Sequence, residues 1–177
     1  EIPAVVSNHR DAEALVRSYG LEFHHVPVTP DTKADAEQRL MQLVDETGAQ
    51  HIVTLLRLVD RVQRPIHIAP QNHLVLSVDD ITVPMDGYTM PAHEHVQRLI
   101  SFVTAWDRKT PMVMHCFAGI SRSTAAAYVA ACALNPQRDE MQIAWDIRRS
   151  SRTAQPNSRI VSIADRDGRT PLEHARA

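Results

Sequence analysis

The stretch His115-Cys116-Phe117-Ala118-Gly119-Ile120-Ser121-Arg122-Ser123 has the residue types and spacing to handle a phosphate. A thiol and a guanidinium are separated by five residues. An apolar run, Met112-Val113-Met114, precedes them and reads as a buried strand. Thr124–Leu134 follows and reads as a helix. A strand, a tight loop and a helix N-terminus make an anion site, because loop N–H groups and the positive end of the helix dipole converge. A thiol there should lose its proton readily, and the thiolate is the nucleophilic form. Arg122 adds a planar, two-pronged donor suited to phosphate oxygens. Phe117, Ala118, Gly119, Ile120 and Ser121 are the candidate substrate-binding residues. A packed structural cysteine before an alanine-rich helix is the bland alternative, and Cys132, within that helix, suits it better.

The segment H-C-x-x-G-x-x-R-S resembles the signature loop of the cysteine-dependent protein tyrosine and dual-specificity phosphatases. The resemblance implies that Cys116 is the nucleophile and passes through a cysteinyl-phosphate. It implies that Arg122 clamps the phosphate and that Ser123 donates to the departing thiolate. His115 would help hold the loop and favour the ionised cysteine. Ile147-Arg148-Arg149-Ser150-Ser151-Arg152-Thr153-Ala154-Gln155-Pro156-Asn157 is similar to the segment that braces this loop from behind in that family. Ser151 and Arg152 depart from its pattern, while Pro156-Asn157 keeps it. The resemblance covers residues 51–163.

Phosphoester cleavage also needs a proton for the leaving oxygen and a base for the attacking water. One carboxylate can serve both steps. In the family an Asp follows the strand upstream of the signature helix, around thirty residues before the cysteine. Here Leu74–Val78 runs into Asp79-Asp80, and Asp86 lies deeper in the following loop. Asp80 is the first choice, then Asp79, then Asp86. Arg57, Arg61 and Arg64 form a basic cluster that reads as a solvated loop, with contact to substrate phosphate groups as the lesser alternative.

Alternating elements must position these groups. Strands are expected at Ala4–Val6, Phe23–Val28, His51–Leu56, Leu74–Val78 and Met112–His115. Helices are expected over Asp11–Tyr19, from Asp31 or Thr32 to Thr47, from Pro91 through Trp106, over Thr124–Leu134 and over Asp139–Arg149. Gly20 and Gly48 are helix stops. Trp106 and Trp145 read as core. The fold class is α/β, a mostly parallel central sheet flanked by helices.

Two ends of the chain have other affinities. Ile2–His9, Phe23–Thr29 and Thr32–Glu37 resemble an internal piece of formyltetrahydrofolate deformylases over residues 1–50, a β-α-β-α start packed onto the same sheet. The catalytic Asn, His and Asp of that family lie beyond this piece, so a deformylase fragment is the lesser alternative. Asp165–Ala175 resembles the opening of an ankyrin repeat, giving a tail at 164–177; a single repeat cannot bury its own face. The chain reads as a mosaic.

Nineteen basic residues against 21 acidic leave a net charge of −2, which gives no electrostatic footprint for nucleic acid. The longest apolar run is too short for a bilayer, so no membrane partner is expected. No cationic, apolar leader opens the chain, and with one of two cysteines assigned to chemistry the expected setting is cytoplasmic. His93 and His95 do not share a helix face, so no metal or other cofactor is expected. The expected activity is phosphomonoester hydrolysis on a phosphorylated protein or small phosphomonoester. A non-catalytic phosphate-binding module is the alternative, followed by sulfur transfer or arsenate reduction. Without lysine in the loop, a highly anionic inositol phosphate is disfavoured.

Overall fold

The computed structural model describes residues 4–7, 22–25, 33–57 and 63–167. The order of elements is β1 (Ala4–Ser7), β2 (Glu22–His25), α1 (Lys33–Glu46), β3 (His51–Leu55), β4 (His73–Leu76), α2 (His93–Thr104), β5 (Met112–Cys116), α3 (Arg122–Leu134), α4 (Glu140–Ser150) and α5 (Ser158–Asp167). The expected helix over Asp11–Tyr19, the end of the second expected strand, Arg61 and the tail beyond Asp167 lie outside the described residues.

The sheet that carries the site has the order β4-β3-β5, and both pairings are parallel. Parallel strands are covered on both faces, so β3 is apolar nearly throughout. Ile52, Val53, Thr54 and Leu55 are all buried. Alternation sends Val53 and Leu55 to one face and Ile52 to the other. Val53 and Leu55 join Leu74, Leu76 and Val78 against α2, α3 and α5. Ile52 packs with Val44, Ala49 and Ile68.

The covering helices α2 and α5 are amphipathic, whereas α3 is apolar nearly all round and has no exposed residue. In α2, Val96, Leu99 and Val103 are buried. In α3, Ala125, Ala126, Val129 and Ala130 are buried, and the small side chains let the helix approach its neighbours closely. Gly48, at φ 66°, ends α1 as expected, its N–H donating to Asp45 O at 3.1 Å. Asp139 caps α4 by accepting from Gln142 N at 3.0 Å.

Three expectations need correction. The strands β1 and β2 pair with each other in their own two-stranded sheet, not with the central one. Both edges of β3 are already taken by β4 and β5. Trp145 is 55% exposed, because Ile143, two residues earlier, takes the inward face of α4. Lastly, α5 has no counterpart in the sequence reading and crosses position 163. No described helix is long and apolar enough to cross a membrane.

Candidate active site

Cys116 is the last residue of β5, paired with Leu55 at the end of β3. Arg122 is the first residue of α3. The loop between them therefore lies in the crevice outside the carboxyl ends of parallel strands, where open α/β sheets hold ligands. Gly119 has φ 72°, a left-handed turn that other residues enter only with strain. The turn folds the segment back onto the helix N-terminus.

A cavity of about 750 Å³ opens over this loop. Cys116, Phe117, Ala118, Ile120, Ser121 and Arg122 line one side; Gly119 does not. The Ser123 hydroxyl sits 3.2 Å from Cys116 Sγ, within reach of a sulfur acceptor. Arg122 is buried, and its Nη1 donates to Val78 O at 2.9 Å. That contact sets the plane of the guanidinium. Its Nε is buried with no hydrogen-bond partner. An unpaired, charged donor in a closed setting is costly unless a ligand satisfies it. A tetrahedral oxyanion held by the Arg fork would do so.

His115 lies behind the loop. Its Nε2 is 2.7 Å from Thr54 Oγ1, and the same hydroxyl is 2.9 Å from His73 Nε2. Burial, with His73 nearby, depresses the His115 imidazole to about 4; a hydrogen bond to the Cys116 backbone pulls the other way. At neutral pH His115 is uncharged, so it braces the loop through hydrogen bonds and puts no imidazolium beside the sulfur. Sequence reasoning missed Thr54 and His73. The other thiol, Cys132, is pushed up to about 11 by burial, which disfavours it as a nucleophile.

The three candidate acids part company. Asp80 lines the cavity; Asp79 and Asp86 do not. Asp79 is buried and accepts from Thr89 N at 2.8 Å, while its own N–H donates to Thr89 O at 2.8 Å. It also faces Arg57 Nε at 3.7 Å. Arg57 in turn donates to Gly87 O at 2.8 Å and stacks on Tyr88 at 4.5 Å. Asp79 and Arg57 thus close the loop that Asp80 begins, and Arg57, exposed as expected, makes these contacts at the surface. Asp80 Oδ1 accepts from Ser121 Oγ at 2.6 Å and from Asn157 Nδ2 at 2.8 Å.

The segment after α4 packs against the phosphate loop as the motif implied. Gln155 N donates to Ile120 O at 2.9 Å and Asn157 N to Ser121 O at 3.2 Å. Arg148 holds the turn by donating to Ala154 O. Asn157 was legible only as part of this brace. Its cap on an apolar stripe, Ile160, Ile163 and Ala164, is the signal that marks α5.

The remaining lining has an apolar part, and Thr82, Gln155, Asn157 and Ser158 add polar groups. Ile81, Val83 and Met85 face Phe117 and Ile120 across the cavity. Val83, Met85 and Phe117 are 62%, 49% and 47% exposed and form an open rim.

This architecture is shared with known phosphatases. A mouse putative dual specificity phosphatase, complexed with zinc tungstate, superposes with a TM-score of 0.59 at 18% identity, over 77% of this chain and 79% of that one. The PTP-2 phosphatase of Cydia pomonella gives 0.58 at 19% identity, over 72% and 77%. A human tyrosine phosphatase-like serine/threonine/tyrosine-interacting protein gives 0.58 at 16% identity, over 74% and 83%. At these identities the likeness is one of fold.

Curated relatives are deformylases. The chain is 49% identical over 108 residues to the formyltetrahydrofolate deformylase of Corynebacterium sp. (strain P-1), covering 61% of this chain and 34% of that protein. It is 45% identical over 53 residues to the enzyme of Mycobacterium tuberculosis (strain ATCC 25618 / H37Rv), 30% and 16% respectively. The chain spans about a third or less of the length of these relatives. A match of 108 residues cannot be confined to the first 50. The cysteine–arginine loop and the parallel sheet beneath it fall within residues 29–135, which match a family model described as polymorphic toxin system, DSP-PTPase phosphatase (Tc-R-P); the chain belongs to that family.

Proposed function

We propose that this protein hydrolyses phosphomonoesters through a cysteinyl-phosphate on Cys116. The observation that carries this reading is one cavity lined by Cys116, Arg122 and Asp80, with the Arg122 Nε buried and without a hydrogen-bond partner. The thiolate attacks phosphorus as the bond to the leaving oxygen breaks, and Asp80 gives that oxygen its proton. Water then attacks the phosphorus, Asp80 takes back a proton, and the S–P bond breaks. Ser123, at 3.2 Å, hydrogen-bonds the sulfur as its charge returns. Arg122 and the N-terminus of α3 hold the phosphoryl oxygens throughout.

The substrate is a phosphorylated protein or small molecule bearing one phosphate beside an apolar or aromatic group. Among the described residues Arg122 is the only basic side chain in the lining, and Ile81, Val83, Met85 and Phe117 also line it. A reducing, cytoplasmic setting suits a mechanism that needs a free thiol. The alternative, a phosphate-binding module without turnover, keeps Cys116 and Arg122 but has no use for a carboxylate at the cavity. Asp80 in the lining favours the enzyme. The test is aryl phosphate hydrolysis and tungstate binding by wild type and Cys116→Ser. The variant should lose turnover and keep binding. Undiminished turnover would exclude the cysteinyl-phosphate, and a wild type that binds tungstate but never turns over would favour the module.

A further inference from the structure

Asn157 uses both ends of one amide. Its Oδ1 accepts the N–H groups of Arg159 at 3.1 Å and Ile160 at 3.2 Å, capping α5. Backbone N–H groups only donate, so this end must be the oxygen and the other end must be the NH2. That NH2 donates to Asp80 Oδ1 at 2.8 Å, across 77 residues of sequence. Asn157 is 4% exposed, whereas Asp80 opens to the cavity. The Asn157 N–H is itself tied to Ser121 O, and Ser121 Oγ reaches the same Asp80 oxygen.

We propose that Asn157 is the positioning residue for the proton-transfer step, anchoring Asp80 to the buried cap of α5. Two donors occupy Oδ1 and oppose protonation there. The proton is thereby directed to Oδ2, the oxygen left to meet the leaving group. Helix cap, phosphate loop and acid are joined at one side chain, so the acid is held at a set distance from the phosphate. This inference rests on the reading of Asp80 as the general acid.

Two substitutions separate the roles of the amide. Asn157→Ser keeps a good cap but is too short to reach Asp80. Asn157→Asp keeps the cap and replaces the donor with a second carboxylate against Asp80 Oδ1. Two carboxylates at that range share a proton rather than both ionising. Cys116 and Arg122, the other ionisable groups lining the cavity among the described residues, and the neighbouring Arg57–Asp79 pair are unchanged in both.

The experiment compares kcat/KM for a poor and a strongly activated aryl leaving group, across pH, in wild type, Asp80→Asn and both Asn157 variants, with thermal melts of each. Asn157→Ser should slow the poor leaving group by about tenfold or more and leave the activated one nearly unchanged, since small misplacements of a catalytic group are costly. Asn157→Asp should move the alkaline limb of the profile to higher pH for the poor leaving group only. If Asp80→Asn shows the leaving-group-dependent loss and neither Asn157 variant does, Asn157 is a helix cap and nothing more. If Asp80→Asn shows no such loss, the acid assignment fails and takes this proposal with it. Should Asn157→Ser not fold, the pH profile of Asn157→Asp alone decides.

Discussion

Replacing Arg122 with lysine tests the phosphate clamp most directly. In the native site Nη1 is committed to Val78 O at 2.9 Å and Nε is buried without a partner, so the proposed mechanism uses the Nε edge for the oxyanion. Two parallel N–H···O⁻ bonds along that edge are each worth about 1.5–3 kcal/mol when one partner is charged. An ammonium can recover one of them as a point contact and cannot also satisfy Val78 O in the same plane. Arg122→Lys should therefore lose about 1.5–3 kcal/mol of transition-state stabilisation, roughly 10- to 150-fold in kcat/KM. Arg122→Ala removes both bonds and should lose about 10²–10⁴-fold. The assay is steady-state aryl phosphate hydrolysis, paired with calorimetric titration of tungstate and a thermal melt. The unpaired Val78 carbonyl is buried, so its cost appears in the melt rather than in the rate. A lysine variant within about threefold of wild type in kcat/KM, or an alanine variant that binds tungstate normally, would refute a bidentate clamp.

Two other outcomes follow from the groups behind the loop. Folded His115 takes a proton only near pH 4, whereas the unfolded chain does so near 6.5, so in between the unfolded state binds more protons. Stability is fully present above pH 6.5 and falls as pH drops towards 4, by about 3 kcal/mol for this residue. His51, His73 and His95 are depressed by burial in the same direction and steepen the fall. Urea unfolding at pH 7 and pH 4.5 measures it, and an unchanged pH slope in His115→Gln would remove His115 as the source. Thr54→Val keeps the shape of a buried residue but strips the hydroxyl from both imidazoles. It should cost about 2 kcal/mol and lower the melting temperature by about 4–8 °C, and an unshifted melt would show that the Thr54 bridge contributes nothing.

Much of the site was legible because it is local. Cys116, Gly119, Arg122 and Ser123 lie on one turn between β5 and α3, and short-range rules govern such a turn: a left-handed glycine, a helix N-terminus and five intervening residues. The same local rules marked Gly48 as a stop. They also marked the apolar run of a buried strand at His51–Leu56, which the structure ends one residue earlier at Leu55.

What the tertiary structure decided involves residues far apart in sequence. Adjacent Asp79 and Asp80 are indistinguishable by composition, yet one closes its own loop against Thr89 and Arg57 while the other lines the cavity. Neighbours on an extended segment face opposite ways, and only the packing of that segment says which faces the sulfur. Thr54 meets His115 because β3 and β5 pair in that register, and meets His73 from the next strand. Asn157 reaches Asp80 because α5 packs beside α2 and α3, an arrangement set by burial of Ile160 rather than by anything near Asp80 in the chain. Residue type and spacing specify chemistry within a turn or a helix. Which distant groups share one cavity depends on strand register and helix packing, and these are fixed by the core as a whole.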